Sequence, residues 1–162
     1  MPGTGDPVNY MERTRLYYRA LGYAHDYVWS RYDDVPFVRP SHPLSQSRIA
    51  LITTSSPADR SNRDARGVKH VWSAAVDPPP QQWVTDDLAW DKASTHMRDR
   101  ESFLPIEAAQ ALAGQGVFAG LTGHFHGVPT EYSQRKTIEE DAPKVLSLLR
   151  DERADGVLLF PI

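Results

Sequence analysis

Three apolar runs along the chain predict buried β-strands. They lie at Arg48–Thr54, Gly116–Thr122 and Val157–Phe160. Within each run the apolar residues follow one another instead of alternating with polar ones, which is typical of parallel strands covered on both faces. A shorter alternating segment, Val68–Val76, is compatible with one more strand. Elsewhere the apolar residues recur at helical spacing. The predicted helices are Tyr10–Leu21, Leu104–Ala113 and Thr137–Arg150, and Pro143 indicates that the regular part of the third helix begins nearer Asp141.

The order of these elements predicts the fold class. A strand, a crossover, a strand, a helix and a strand indicate an α/β fold, with a three-layer, mostly parallel sheet flanked by helices, as in Rossmann-like or flavodoxin-like proteins. We expect a single α/β domain over residues 1–162, in which residues 1–46 form an N-terminal helix and an extended wrapping segment. Because the three main strands make a thin sheet, the fold is expected to be incomplete. We therefore expect an oligomer, either a dimer or a complex with a missing partner segment.

Composition excludes several classes of function. The formal net charge is −3 and the isoelectric point is near 6.0, which gives no support for binding to nucleic acid or to a membrane surface. No apolar run approaches the roughly 18 residues of a membrane span, and the first residues do not resemble a signal peptide. We expect a cytoplasmic protein. The sequence contains no cysteine, which excludes disulfides, thiolate metal sites and thiol redox chemistry by this chain alone.

Titratable residues concentrate after the second predicted strand. His124 and His126 lie in a glycine-flanked stretch that we interpret as a strand-to-helix loop, and Glu131 follows them. If the stretch is extended, the two imidazoles point the same way and can act on one substrate or bind one ion. These three residues are the catalytic candidates. A zinc or iron site would need a third ligand, which His96, Asp99 or Glu131 could supply; we take His96, His124 and His126 as that alternative set. Structural hydrogen bonding by the histidines is a further alternative, and no cofactor is assigned with certainty.

Other residues are candidates for substrate binding. Hydroxyls and free amides after the first strand can hold an anion, although a simple Ser/Thr turn is an alternative. Arg135 precedes the third predicted helix, and a cation at a helix N-terminus suits a carboxylate; a surface salt bridge to Glu131 is the alternative. The substrate-binding candidates are Thr53, Thr54, Ser55, His96, Tyr132 and Arg135.

Several motifs together resemble one known family. They are MERTRLYYRALGY, DDVPF, RIALITT, WDKASTHMRDRESFLP, GHFHGVPTEYSQRKTIEEDAPKVLSLLR and DGVLLFPI. Over most of its length the chain is similar to the selenoprotein B-like subunits of the glycine, sarcosine, betaine and D-proline reductases. In that family a strand like Asp155–Ile162 leads into a short motif with selenocysteine or cysteine. This sequence ends where that motif would begin, so no residue here inherits the role of the reactive group.

The resemblance implies a function in amino-acid metabolism. The family cleaves a C–N bond next to a carboxylate reductively, which implies that this chain is the substrate-binding part of such a reductase subunit, an oxidoreductase when completed by a thiol or selenol. Its expected partners are a small carboxylate or amine, other reductase subunits or a second copy of itself. Two alternatives stay open: a metal-dependent lyase or hydrolase using His124 and His126, and a non-catalytic binding or assembly subunit, which the missing thiol favours.

Overall fold

The computed structural model describes residues 7–26, 28–85, 99–130 and 133–162. The chain divides into two compact units, residues 1–38 and residues 39–162, which are described one after the other. The single domain over residues 1–162 stays a prediction. No helix in the described ranges is long and apolar enough to cross a membrane.

The first unit contains helix α1 (Tyr10–Ala20), as predicted. Its first turn is capped by Asn9, whose side-chain oxygen accepts a hydrogen bond from the amide of Glu12 at 3.2 Å. The helix ends before Gly22, whose φ of +86° suits a residue without a side chain. No residue of α1 is buried, so the expected apolar stripe on this helix remains exposed.

The second unit contains the remaining elements. The strands are β1 (Arg48–Thr53), β2 (Ser56–Pro57), β3 (Trp72–Ala75), β4 (Trp83–Val84), β5 (Gly120–Leu121), β6 (His124–Gly127) and β7 (Gly156–Phe160). The helices are α2 (Ile106–Gly114), α3 (Gln134–Lys136) and α4 (Ala142–Asp151). Single helical turns of the 3₁₀ type lie at Leu44–Gln46 and Arg100–Ser102, and a π-helical turn at Thr137–Asp141 joins α3 to α4.

Strand β1 is at the centre of a five-stranded sheet. On one side of β1, β7 pairs with Ile49–Thr53 in parallel. On the other side of β1, β5 pairs with its first residues and β6 with its last residues, both also in parallel. β3 is antiparallel to β6 and makes the sheet mixed. Strands β2 and β4 form a separate antiparallel pair. The α/β class with a mostly parallel sheet is therefore confirmed, and the apolar runs at β1 and β7 were placed correctly by the sequence.

The second predicted strand is displaced from its expected place. The apolar run from Gly116 predicted a strand that ended at Thr122, whereas pairing with β1 begins at Gly120 and continues to Gly127. Four steps along β1, from Arg48 to Ile52, correspond to six steps from Gly120 to His126. The two extra residues, Thr122 and Gly123, form a bulge that divides β5 from β6, and the hydroxyl of Thr122 donates a hydrogen bond to the carbonyl of His124 at 2.8 Å.

The main hydrophobic core lies on one face of the sheet. Phe125 is fully buried there, and its ring contacts those of Trp72 and Trp83, each with a centroid separation of 5.3 Å. The buried residues of this cluster are Ile49, Leu51, Val76, Trp83, Phe103, Leu104, Ile106, Ala109, Phe118 and Phe125. Ala50, Ile52 and Val145 are also buried but lie outside the cluster. Since side chains alternate along β1, Ala50 and Ile52 face the opposite side of the sheet.

The helical segment after β6 begins earlier than predicted. Ser133, and not Thr137, is its N-cap, because the hydroxyl of Ser133 accepts a hydrogen bond from the amide of Lys136 at 3.3 Å. Pro143 lies in the first turn of α4 and has no amide hydrogen to give to the preceding turn. The wider π-helical turn stands directly before it. The expected start of the segment at Thr137 is therefore wrong, whereas the regular α-helix, α4, begins at Ala142, close to the expected Asp141.

Candidate functional site

His124 and His126 lie on strand β6 and not in a loop, which corrects the expectation from the sequence. Residues 124 to 127 read as histidine, phenylalanine, histidine and glycine, and the two glycines that flank this stretch suggested a loop. Burial of Phe125 in the core anchors the segment as a strand, so the imidazoles on either side of it project from the opposite face. The expectation that the two imidazoles point to the same side is therefore confirmed by the strand conformation of residues 124 to 127.

The two imidazoles differ in exposure and in their partners. His126 is only 1% exposed and pairs across the sheet with Ser73 of β3. The hydroxyl oxygen of Ser73 lies 2.8 Å from Nδ1 of His126, within hydrogen-bond distance, while Ser73 itself is exposed. The side chain of His124 is 54% exposed. The pair therefore combines one imidazole that solvent can reach and one that is enclosed.

Glu152 joins the two histidines into one cluster. It follows α4 directly, and its Oε1 lies 2.5 Å from Nδ1 of His124. Its other oxygen, Oε2, accepts a hydrogen bond from the amide of His124 at 3.4 Å and lies 4.0 Å from Nε2 of His126. The carboxylate is 20% exposed. We call the four residues Ser73, His124, His126 and Glu152 the Ser–His–Glu cluster.

Burial controls the protonation of His126. Loss of solvent around the ring lowers its pKa below the ordinary value of a histidine. The negative charge of Glu152 acts in the opposite direction, and the neighbouring His124 adds a smaller lowering. His126 is therefore a neutral imidazole near pH 7, which can accept a proton through one ring nitrogen.

Thr53, Thr54 and Ser55 lie where β1 ends, as the sequence predicted. The hydroxyl of Thr53 donates to the carbonyl of Phe103 at 3.0 Å and accepts from the amide of Ser55 at 3.2 Å. Thr53 and Ser55 are buried, whereas Thr54 is half-buried. The polar groups of Thr53 therefore hold the loop itself together, and Thr54 is the most accessible residue of the three.

Three strand ends meet at Thr54. Its hydroxyl accepts a hydrogen bond from the amide of Ile162, which follows β7, at 2.9 Å. Its carbonyl accepts one from the hydroxyl of Thr130, which follows β6, at 3.4 Å. The carboxyl ends of β1, β6 and β7 thus converge, and His126 pairs with Ile52, two residues before Thr54.

Arg135 lies inside the helical segment instead of ahead of it. Because the segment begins at Gln134, the predicted seat for a carboxylate at Thr137 is not a helix N-terminus. The guanidinium of Arg135 is paired with Glu139 at 2.7 Å and with Glu140 at 3.7 Å, and its side chain is 66% exposed. Three other candidates, His96, Glu131 and Tyr132, lie outside the described residues.

The structure adds Ser73 and Glu152 to the residues that the sequence singled out. Ser73 could have been noticed only as a member of the alternating segment Val68–Val76. Glu152 gave no local signal, because it meets His124 across a separation of 28 residues. Among the described residues, no three His, Cys, Asp or Glu side chains are grouped so as to hold a metal ion. The alternative metal site with His96 stays a prediction, since His96 is not described.

Comparisons with known proteins identify no relative. No family model, no curated protein and no solved structure matches the chain. The site must therefore be interpreted from its own geometry and from the motifs in the sequence.

Proposed function

We propose that this chain is the substrate-binding part of a reductase subunit that acts on C–N bonds of a small amino acid or betaine. The resemblance of its motifs to the selenoprotein B-like subunits motivates the proposal. The observation that carries it is the meeting of three strand ends at Thr54, where Ile162 and Thr130 both contact that residue. In open α/β sheets, ligands bind outside the carboxyl ends of the strands.

The proposed reaction needs a group from outside residues 1–162. These residues contain no cysteine, so the thiol or selenol that receives the substrate carbon would have to be supplied elsewhere. We propose that it approaches the edge marked by Thr54. We propose that the carboxylate of the substrate binds beside Thr54, the most accessible of the three residues that follow β1, and that the departing amine takes up a proton, for which the exposed imidazole of His124 is the candidate donor. This role also requires the finer, Rossmann-like or flavodoxin-like organisation of the sheet, which belongs to the same proposal.

Binding of small amino acids tests the proposal directly. Isothermal titration calorimetry of the whole chain with glycine, sarcosine, betaine and D-proline should give saturable binding of at least one of them. Thr54→Val should weaken that binding by up to about tenfold, since it removes a hydroxyl at the meeting point of the three strand ends and a neutral hydrogen bond contributes about 0.5–1.5 kcal/mol. Thr137→Val, which removes an exposed threonine hydroxyl that donates to the carbonyl of Ser133, is the control and should leave the affinity unchanged. If none of the four compounds binds, the proposal fails.

An assembly partner belongs to the same proposal. β7 pairs with β1 alone among the described residues, and its Val157, Leu158 and Leu159 are 42%, 45% and 57% exposed. An edge strand with apolar side chains on both faces is normally covered. We propose that a second copy or another reductase subunit covers it in the cytoplasm. Light scattering should show a species larger than the monomer, either alone or with that subunit; a monodisperse monomer would count against a second copy.

A further inference from the structure

We propose that Ser73 is a nucleophilic serine that His126 activates and Glu152 positions, and that it accepts the acyl group of an activated ester. This activity lies beyond the proposed reductase function and does not depend on it. A nucleophile, a base within hydrogen-bond reach of it and a carboxylate close to the base are three of the parts that a serine uses in covalent acyl transfer.

The first argument is the geometry of the cross-strand pair. Ser73 and His126 lie directly opposite each other on β3 and β6, with the Ser73 oxygen 2.8 Å from Nδ1. The backbone pairing fixes this approach, so little rearrangement is needed before reaction. Ser73 is exposed while His126 is 1% exposed. A reagent can therefore reach the hydroxyl, whereas the base behind it is shielded from water.

The second argument concerns the tautomer of His126. A neutral imidazole has a hydrogen on one nitrogen and a lone pair on the other. Nε2 faces Oε2 of Glu152 at 4.0 Å, and a lone pair placed there would be repelled by the carboxylate. The hydrogen therefore belongs on Nε2, which leaves the lone pair on Nδ1 to accept the proton of Ser73.

The third argument is that His126 is incompletely satisfied. If the ring were only a structural link, both of its nitrogens would be expected to have partners, because a buried polar atom without one is costly. Nε2 is buried and makes no hydrogen bond. Its separation from Glu152 is of the kind that shortens when a ring becomes cationic, and catalytic hydrogen bonds are often long before a substrate binds.

The reaction balances within the cluster and one water molecule. The Ser73 oxygen attacks the carbonyl carbon of the ester, and its proton moves to Nδ1 of His126. The resulting imidazolium is stabilised by Glu152. The bond from the carbonyl carbon to the leaving oxygen breaks, and the alcohol or phenol departs with the proton from Nδ1. Water then attacks the acyl-serine with the same base, which releases the acid and restores Ser73.

Labelling of the whole chain tests the nucleophile. A fluorophosphonate probe, followed by peptide mapping, should modify Ser73, and Ser73→Ala should lose that modification. Ser102→Ala is the matched control, because Ser102 is also exposed but its hydroxyl donates to the carbonyl of Asp99 instead of to an imidazole. The control should be labelled like the unaltered chain. Labelling that avoids Ser73, or that persists equally in Ser73→Ala, would overturn the proposal.

Turnover of p-nitrophenyl acetate tests the positioning role of Glu152. The first turnover should release a burst of p-nitrophenol that Ser73→Ala abolishes. Glu152→Gln should slow the burst by about a hundredfold, the lower end of the contribution of general acid–base catalysis, with the apparent KM unchanged. Glu107→Gln, a carboxylate that is 64% exposed, is the control. Since His126→Ala could fail to fold, the decision rests on Ser73 and Glu152. An unchanged burst in a folded Glu152→Gln variant would remove Glu152 from the proposal, and an unchanged burst in Ser73→Ala would reject it.

Discussion

The buried ion pair between Lys136 and Asp141 offers a sharp test of the electrostatics of the helical segment that follows β6. Nζ of Lys136 lies 3.3 Å and 3.2 Å from the two carboxylate oxygens of Asp141, and it also donates to the carbonyl of Lys69 at 3.0 Å. The two side chains are 10% and 9% exposed. An ammonium that has been taken out of water to this extent depends on nearby negative charge.

Asp141→Asn removes that charge while the shape of the side chain is kept. Breaking a buried pair from one side costs about 3 kcal/mol or more, because the remaining charge loses its nearest opposite charge. For a chain of this length each kcal/mol lowers the melting temperature by about 2–4 °C, so we expect a decrease of roughly 6–12 °C. Urea denaturation should show the same loss as a lower midpoint with an unchanged slope.

The matched control is Glu139→Gln on the neighbouring surface. Glu139 pairs with Arg135 at 2.7 Å, but the two side chains are 60% and 66% exposed. Solvent screens this pair, so the substitution should change the stability by at most about 1 kcal/mol. If Asp141→Asn and Glu139→Gln lowered the melting temperature equally, the burial of the pair between Lys136 and Asp141 would not contribute to stability. That result would refute the reasoning.

Three further predictions concern the core and its edge. Phe125→Ala should lower the free energy of unfolding by about 3–5 kcal/mol in urea denaturation, because it opens a cavity; a loss below about 1 kcal/mol would mean that the ring is not at the centre of the core. Gly127→Ala should destabilise the chain and shift its tryptophan fluorescence, since a Cβ there would collide with the indole of Trp72, whereas Gly120→Ala meets no atom within 4 Å and should do neither. Burial raises the pKa of Glu101, so the folded state retains its proton at a pH where the unfolded chain has lost it. The unaltered chain should therefore become more stable relative to Glu101→Gln as the pH falls from the pKa of Glu101 in the folded state towards its pKa in the unfolded state. A difference in unfolding free energy between the two proteins that does not vary with pH would contradict this.

The sequence predicted those parts of the fold that are encoded locally. β1 and β7 are continuous apolar runs because both are parallel strands, and their positions follow from that pattern alone. α2 was recognised from the helical spacing of its apolar residues. The limit lies at β6, where His124 and His126 alternate with Phe125. Four residues are too few for a pattern to distinguish a strand from a loop, and the burial of Phe125 depends on Trp72 and Trp83, which are distant in sequence.

The candidate site shows the same limit more strongly. The direction of the two imidazoles followed from the spacing of the histidines, but their partners did not. Ser73 reaches His126 through the pairing of β3 with β6, over a separation of 53 residues. Glu152 reaches both histidines because α4 returns the chain to that side of the sheet. The pairing of β3 with β6 and the position of the end of α4 depend on the assembled sheet. No local sequence pattern could therefore have identified Ser73 and Glu152.

The two proposals depend on different residues around β1 and can therefore be separated by substitution. Glu152 lies at the amino end of that strand, where its carbonyl accepts a hydrogen bond from the side chain of Arg48 at 3.2 Å. Thr54 lies beyond the carboxyl end and holds Ile162 at 2.9 Å. Ser73→Ala should therefore abolish ester turnover without changing the affinity for a small amino acid. Thr54→Val should do the reverse, because it alters the meeting point of the three strand ends and leaves the cross-strand pair of Ser73 and His126 in place. If either substitution removes both activities from a folded chain, the protein has one site and not two.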